Sequence, residues 1–176
     1  MLMISFKVKI TKIGEAEIII LPKNISTKLP SRGMVMVKGT INGEPFQTPL
    51  EPDGRGSHWF KLSESQIKST KLKVGVSVSL SIEVVKDWPE PTIPTDLKKA
   101  LDGNPKAYKT WQSITPVARW DWIRWINATK NPETRKIRIE KTFSKFNSGK
   151  RNPCCFNRSM CTDTTVSNNG ILLSNI

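Results

Sequence analysis

Few residues in this chain have the types and spacing that chemistry needs. His58 is the single histidine among 176 residues, and it lies between the glycine loop Asp53-Gly54-Arg55-Gly56 and Trp59. A general base works only when brought to a nucleophile and an orienting group. In so short an apolar stretch, His58 reads as a partly buried strand residue. Cys154 and Cys155 are adjacent and Cys161 follows six positions on, which is not the paired Cys-x-x-Cys spacing of a structural zinc site. Neither a metal site nor a reactive or lipid-modified thiol is expected, and the thiols are expected to be reduced. No carboxylates are paired at a spacing that acid–base work demands. The glycines of residues 53–56 lack the Gly-Lys-Ser/Thr or strand–turn–helix setting of a phosphate cradle, so a hairpin loop accounts for them. No catalytic residue and no cofactor are expected.

Positive charge is the stronger signal. Lys and Arg number 28 against 15 acids, for a formal charge of +13. Residues before Trp88 hold 13 bases and 8 acids, and those after it 15 and 7. Residues 130–151 alone hold eight bases and two acids. Such a field attracts anions. Arg138, Lys141 and Lys145 recur along one side of a helix, with Lys150 and Arg151 just beyond it. That stripe is the candidate partner-binding surface, and the ordinary alternative is a solvated helix face. Phosphates would suit it through counterion release, and so would an anionic membrane surface. An unknown protein or other anionic partner is expected, with nucleic acid as the alternative. Arg135 lies beside the apolar stripe of the same helix and is expected to pair with a carboxylate or a helix C-terminus at the domain seam.

The elements that must position these residues fall into two kinds. Ile4, Phe6, Val8 and Ile10 alternate with polar residues as in a half-buried strand. Glu17 to Leu21 is a second, apolar strand, and residues 23–31 form a short helix or loop. A third strand from Met34 to Ile41 ends at Asn42-Gly43, a hairpin signal because a type I′ turn needs positive φ at both central residues. Its return strand, near Pro45 to Leu50, carries prolines that predict an edge or irregular strand. His58 to Leu62 is short, and Val74 to Val84 alternates with small polar residues as one long strand. Six short strands predict a small closed or partly open barrel.

Prolines at 89, 91 and 94 make residues 88–94 a stiff linker. Helices follow at Asp96 to Leu101, after the Asn104-Pro105 cap, from Thr115-Pro116 to about Lys130, and from Asn131-Pro132 to Ser148-Gly149. Val117, Trp122, Ile123 and Ile126 predict the buried face of the third, and Ile139, Phe143 and Phe146 that of the fourth. The tryptophans are expected to be mostly core, and exposed ones would stack bases or sit at a lipid interface. Residues 152–176, with the three cysteines, form a tail without a readable period.

These residues carry a resemblance. Ser31-Arg32-Gly33-Met34-Val35, Thr40-Ile41-Asn42-Gly43 and the loop before His58 resemble a bacterial and archaeal barrel domain of unknown function, here residues 1–87. Pro94-Thr95-Asp96-Leu97, Trp125-Ile126 and Glu133-Thr134-Arg135-Lys136-Ile137-Arg138-Ile139 resemble the bacteriocin-protection, YdeI or OmpD-associated domain, here residues 95–151. Arg32, Gly33, Asn42, Gly43, Trp125, Thr134 and Arg135 are its motif positions in this chain. The resemblance implies a double-split-like β-barrel followed by a helical domain, and a link to tolerance of bacteriocins and cationic antimicrobial peptides. It supplies no catalytic residues. The N-terminal residues do not read as a signal peptide, and no apolar run reaches the roughly 20 residues of a membrane helix. A cytoplasmic location is expected, which makes the glycosylation patterns at Asn24, Asn127 and Asn157 chance matches.

Overall fold

The computed structural model describes residues 3–129, 131–153, 165–167 and 171–174. They fall into two compact units, Met1–Asp87 with Thr165–Ile176, and Trp88–Thr164.

In the first unit, β1 (Ile4–Ile13), β2 (Ala16–Ile20), β3 (Val35–Ile41), β4 (Glu44–Pro52), β5 (His58–Lys61) and β6 (Ser77–Val84) close an antiparallel barrel in the order β1-β2-β5-β4-β3-β6. The short helices α1 (Lys23–Ser26) and α2 (Glu64–Thr70) join strands. Alternation sends Val37, Leu50, Phe60, Leu80 and Ile82 into one core, where Phe46 and Phe60 stack at 5.5 Å. Asn42 and Gly43 have φ of 49° and 92°, as the predicted turn requires.

Closure is tightest at Gly39, which faces Phe46 on β4 and Ile82 on β6. A Cβ there would lie 1.8 Å from the Ser81 carbonyl oxygen. Only glycine fits that approach.

Two strand expectations need correction, and one helix was not expected. β4 is no edge strand, since it pairs with both β3 and β5. Its pairing with β5 involves only Glu51 and Pro52, so Pro45 and Pro49 lie where β3 is the sole partner and their missing donors are tolerated. β6 begins at Ser77 and not at Val74. Gly75, at φ 84°, sends its N–H to the Ile10 carbonyl, and Ile10 N–H returns to Val76; this turn leaves Val74 and Val76 45% and 48% exposed. Lastly, α2 is absent from the sequence prediction. Its signal is a capping box in which Ser63 and Gln66 bond each other's backbone.

The C-terminal segment belongs to this unit. Val166 and Leu172 bridge and cluster with Ile13, Ile18 and Trp59. β2 is therefore apolar on both faces, with Ile19 in the barrel core and Ile18 beneath the segment.

The second unit holds α3 (Thr95–Asp102), α4 (Pro105–Ser113), α5 (Pro116–Asn127) and α6 (Pro132–Asn147). Asn104, Thr115 and Asn131 each accept a backbone N–H three residues on, and each is followed by proline. Proline has no N–H to lose at that position and its φ is already helical. Gly149, at φ 77°, ends α6. Leu97, Leu101, Trp111, Trp122, Ile126 and Phe146 form the core, with the Trp122 and Phe146 rings edge to face at 5.1 Å. The buried face of α5 is Ala118, Asp121, Trp122, Ile123 and Ile126. Val117 is half-buried and not central to that face, and the buried acid Asp121 lies 3.5 Å from Arg124. Within this unit Pro89 accepts from the Trp120 indole, and Glu90 pairs with Arg119.

Candidate functional site

The predicted contact surface lies on α6, where helical spacing places Arg138, Lys141 and Lys145 along one side. Two of the three converge on a single ring of α5. The Arg138 guanidinium lies 5.4 Å from the Trp125 ring centroid and the Lys145 ammonium 5.5 Å. Each is also anchored by a carbonyl, Arg138 by that of Trp125 and Lys145 by that of Pro153. Trp122 meets the same indole edge-on at 5.9 Å. Cations over a tryptophan face gain roughly 0.5–1 kcal/mol at exposed sites, so these two charges are held in place and not left to wander. Lys141, between them in sequence, is exposed, as is Lys150. Arg151 donates to the carbonyl and hydroxyl of Ser113 at the end of α4, while its own carbonyl accepts the Trp122 indole N–H at 3.0 Å.

The result is a cationic surface with an aromatic centre whose ring is already engaged. None of the six tryptophans is exposed: Trp59, Trp111 and Trp122 are buried and Trp88, Trp120 and Trp125 half-buried. The geometry suits attraction of anionic groups to fixed ammonium and guanidinium positions. Base stacking would need a free ring face.

Arg135 organises the unit from inside. Its guanidinium forks onto Asp96 of α3, Nε to Oδ2 at 2.5 Å and Nη2 to Oδ1 at 3.1 Å. Its Nη1 donates to Asn127 Oδ1 at 2.8 Å and to the Ile126 carbonyl at 3.4 Å. One side chain thus joins a carboxylate and the C-terminal end of α5, the two partner types expected, within the helical unit. The Asp96 carboxyl is held below its usual value by the hydrogen bonds from Arg135, against a desolvation that raises it. Thr134 supplies the N–H that Asn131 caps.

In the barrel, His58 is buried with both ring nitrogens engaged. Nε2 lies 2.9 Å from the Gly33 carbonyl and so carries the proton; Nδ1 accepts from the Ser26 hydroxyl at 2.5 Å. Arg32 donates to the Gly56 carbonyl. Asp53 Oδ1 accepts from the N–H groups of Arg55 and Ser57. The motif residues Arg32 and Gly33 therefore tie one loop to the next through His58 and Gly56. A shallow groove of about 680 Å³ runs over β1 and β6, where Ser5, Ser79, Ser81 and Thr40 present hydroxyls beside Lys7; sequence reasoning did not single it out.

Among the described residues there is no cluster of His, Cys, Asp and Glu that would hold a metal, and no helix is long and apolar enough to cross a membrane. Cys154, Cys155 and Cys161 lie outside the described residues. Residues 90–149 match the family described as bacteriocin-protection, YdeI or OmpD-associated. Residues 6–82 match a domain of unknown function, DUF1905. No curated protein matches the chain.

Proposed function

We propose, from the match of residues 90–149 to the bacteriocin-protection, YdeI or OmpD-associated family, that this chain is a cytoplasmic, non-enzymatic binding protein contributing to tolerance of cationic antimicrobial peptides. The observation that carries the mode of action is the fixing of Arg138 and Lys145 on Trp125, with Lys141 exposed beside them. A surface of that sign repels a cationic peptide within the roughly 8 Å over which charges act at physiological salt. The partner is accordingly anionic, and protection works by engaging what the peptide would otherwise attack, not by sequestering the peptide. His58 and Ser26, which hydrogen-bond each other, are each 1% exposed, and a base and hydroxyl closed off from substrate support binding over catalysis.

Deletion of the gene followed by a graded cationic-peptide challenge tests the role. Survival should fall, return with the unaltered chain, and fail to return with Lys141→Glu combined with Lys150→Glu. Unchanged survival on deletion would overturn the proposal. Binding to nucleic acid that weakens steeply with salt, with no effect on peptide survival, would transfer the cationic surface to a different role.

A further inference from the structure

The cationic side of α6 carries an aliphatic residue that the core does not take in. Ile137 is 47% exposed. Lys141 and Lys145 follow it at successive turns, so the three form one row along the helix. Lys145 is held over Trp125 with Arg138 beside it, and Lys141 and Lys150 are exposed. The acids of α6 stand at the margins of this row. Glu133 heads it in the first turn, and Glu140 lies nearly opposite Arg138 around the helix. The part of the row from Ile137 onward, continued by Lys150 and Arg151, is therefore positive with one apolar tip. A polyphosphate chain gains nothing from a bare aliphatic side chain, and the Trp125 ring that could stack a base already meets two cations. A layer of anionic lipid headgroups gains from both features. Ammonium groups meet its phosphates, and an aliphatic side chain passes between headgroups to the acyl boundary.

We propose, resting on the reading of this surface as one for an anionic partner, that the partner is an anionic phospholipid bilayer. Lys141, Lys145 and Lys150 meet headgroup phosphates, and Ile137 inserts among the headgroups. The contact is peripheral, since among the described residues no helix is long and apolar enough to cross a bilayer. A few charges and one aliphatic side chain make it reversible and sensitive to salt.

The test mixes the full chain with vesicles of phosphatidylcholine, with and without phosphatidylglycerol, and measures bound protein by flotation. The chain should bind only where phosphatidylglycerol is present, and high salt should release it. Each basic residue near an anionic bilayer strengthens binding roughly fivefold, so Lys141→Gln with Lys150→Gln should weaken it about 25-fold. Ile137→Ser should weaken it about fivefold with the salt dependence unchanged, because apolar area is lost and no charge. Ile137→Leu should bind as the unaltered chain does. All three positions are exposed, so the variants keep the fold. Binding without regard to phosphatidylglycerol, or full binding by Ile137→Ser, would overturn the proposal. So would tighter binding to a DNA duplex than to vesicles, weakened by the lysine pair and indifferent to Ile137→Ser. Survival that falls on deletion of the gene, with no vesicle binding, would retain the protective role and remove the lipid; vesicle binding with unchanged survival would do the reverse.

Discussion

The barrel and the helical unit solve the same problem, holding a core of aliphatic and aromatic side chains, by opposite means. In the barrel the decisive contacts join residues far apart in sequence. Gly39 meets Ser81, and His58 joins Ser26 through a buried hydrogen bond and Gly33 through a part-buried one. In the helical unit the starts are local, each of α4, α5 and α6 opening on a polar cap and a proline. Its long-range tie is charged and part-exposed, with Arg135 24% and Asp96 45% accessible. Ties made by sterics and neutral hydrogen bonds should fail abruptly on small changes and respond little to salt. A unit closed by caps and ion pairs should lose stability gradually and respond to salt and pH.

Two glycines test that contrast most sharply. Gly39→Ala puts a methyl group into the Ser81 carbonyl, and the backbone on both sides is fixed by pairing; a loss of about 3 kcal/mol or more is expected, as for severe overpacking. Gly103→Ala, at φ −81° with its nearest contact 3.6 Å away, should be neutral or stabilise by about 0.5 kcal/mol. Urea unfolding of both variants measures the difference. Similar effects at the two positions would mean that the barrel is not closed at Gly39.

His58→Phe comes next. It fills the same space but leaves the Gly33 carbonyl and Ser26 hydroxyl without partners, for a loss of about 2 kcal/mol that should be independent of salt. Arg135→Lys keeps the charge and loses the fork onto Asp96 and the reach to Asn127; a loss of about 1 kcal/mol is expected, shrinking as salt rises. Thermal melts at low and high ionic strength separate the two. A salt-dependent His58 effect, or a salt-independent Arg135 effect, would break the division between the units.

Much of this architecture is legible in the residues. The Asn42-Gly43 turn, the alternation of Ile4 to Ile10 and the three polar-residue–proline caps are local signals, and local geometry is what short sequence patterns encode. The misreadings come where a distant partner decides. Val74 and Val76 continue the alternation of β6, but Gly75 turns the chain onto Ile10 before the ladder begins. Pro45 and Pro49 suggest an edge, and only the limited β4–β5 pairing shows how a closed barrel accommodates them. β2 did carry a signal for a second covered face, since Ile18, Ile19 and Ile20 cannot all face one core, although nothing in the pattern says what covers it. At the candidate site, the charge run predicts a cationic surface, whereas the capture of Arg138 and Lys145 by Trp125 depends on how α5 and α6 meet. The pairing of Arg135 was readable in kind, because a guanidinium beside an apolar stripe needs an acceptor, but its partner Asp96 is 39 residues away.

Smaller effects sharpen the contrast within the helical unit. Asn131→Ala removes the acceptor for Thr134 N–H and should cost about 1 kcal/mol, read from the helical circular dichroism signal during unfolding, with the barrel unaffected. Acid is the gentlest probe. The Asp96 carboxyl is held below its ordinary value of 3.8 by the Arg135 hydrogen bonds, so the folded state binds its proton less readily than the unfolded chain does. Stability from this group is therefore fully present above about pH 4 and declines as pH falls through the lowered folded value. Asp96→Asn should flatten that part of the stability profile, and Arg135→Lys should flatten it partly, since an ammonium cannot reproduce the fork. An acid profile left unaltered by Asp96→Asn would mean that the fork from Arg135 does not hold the helical unit together.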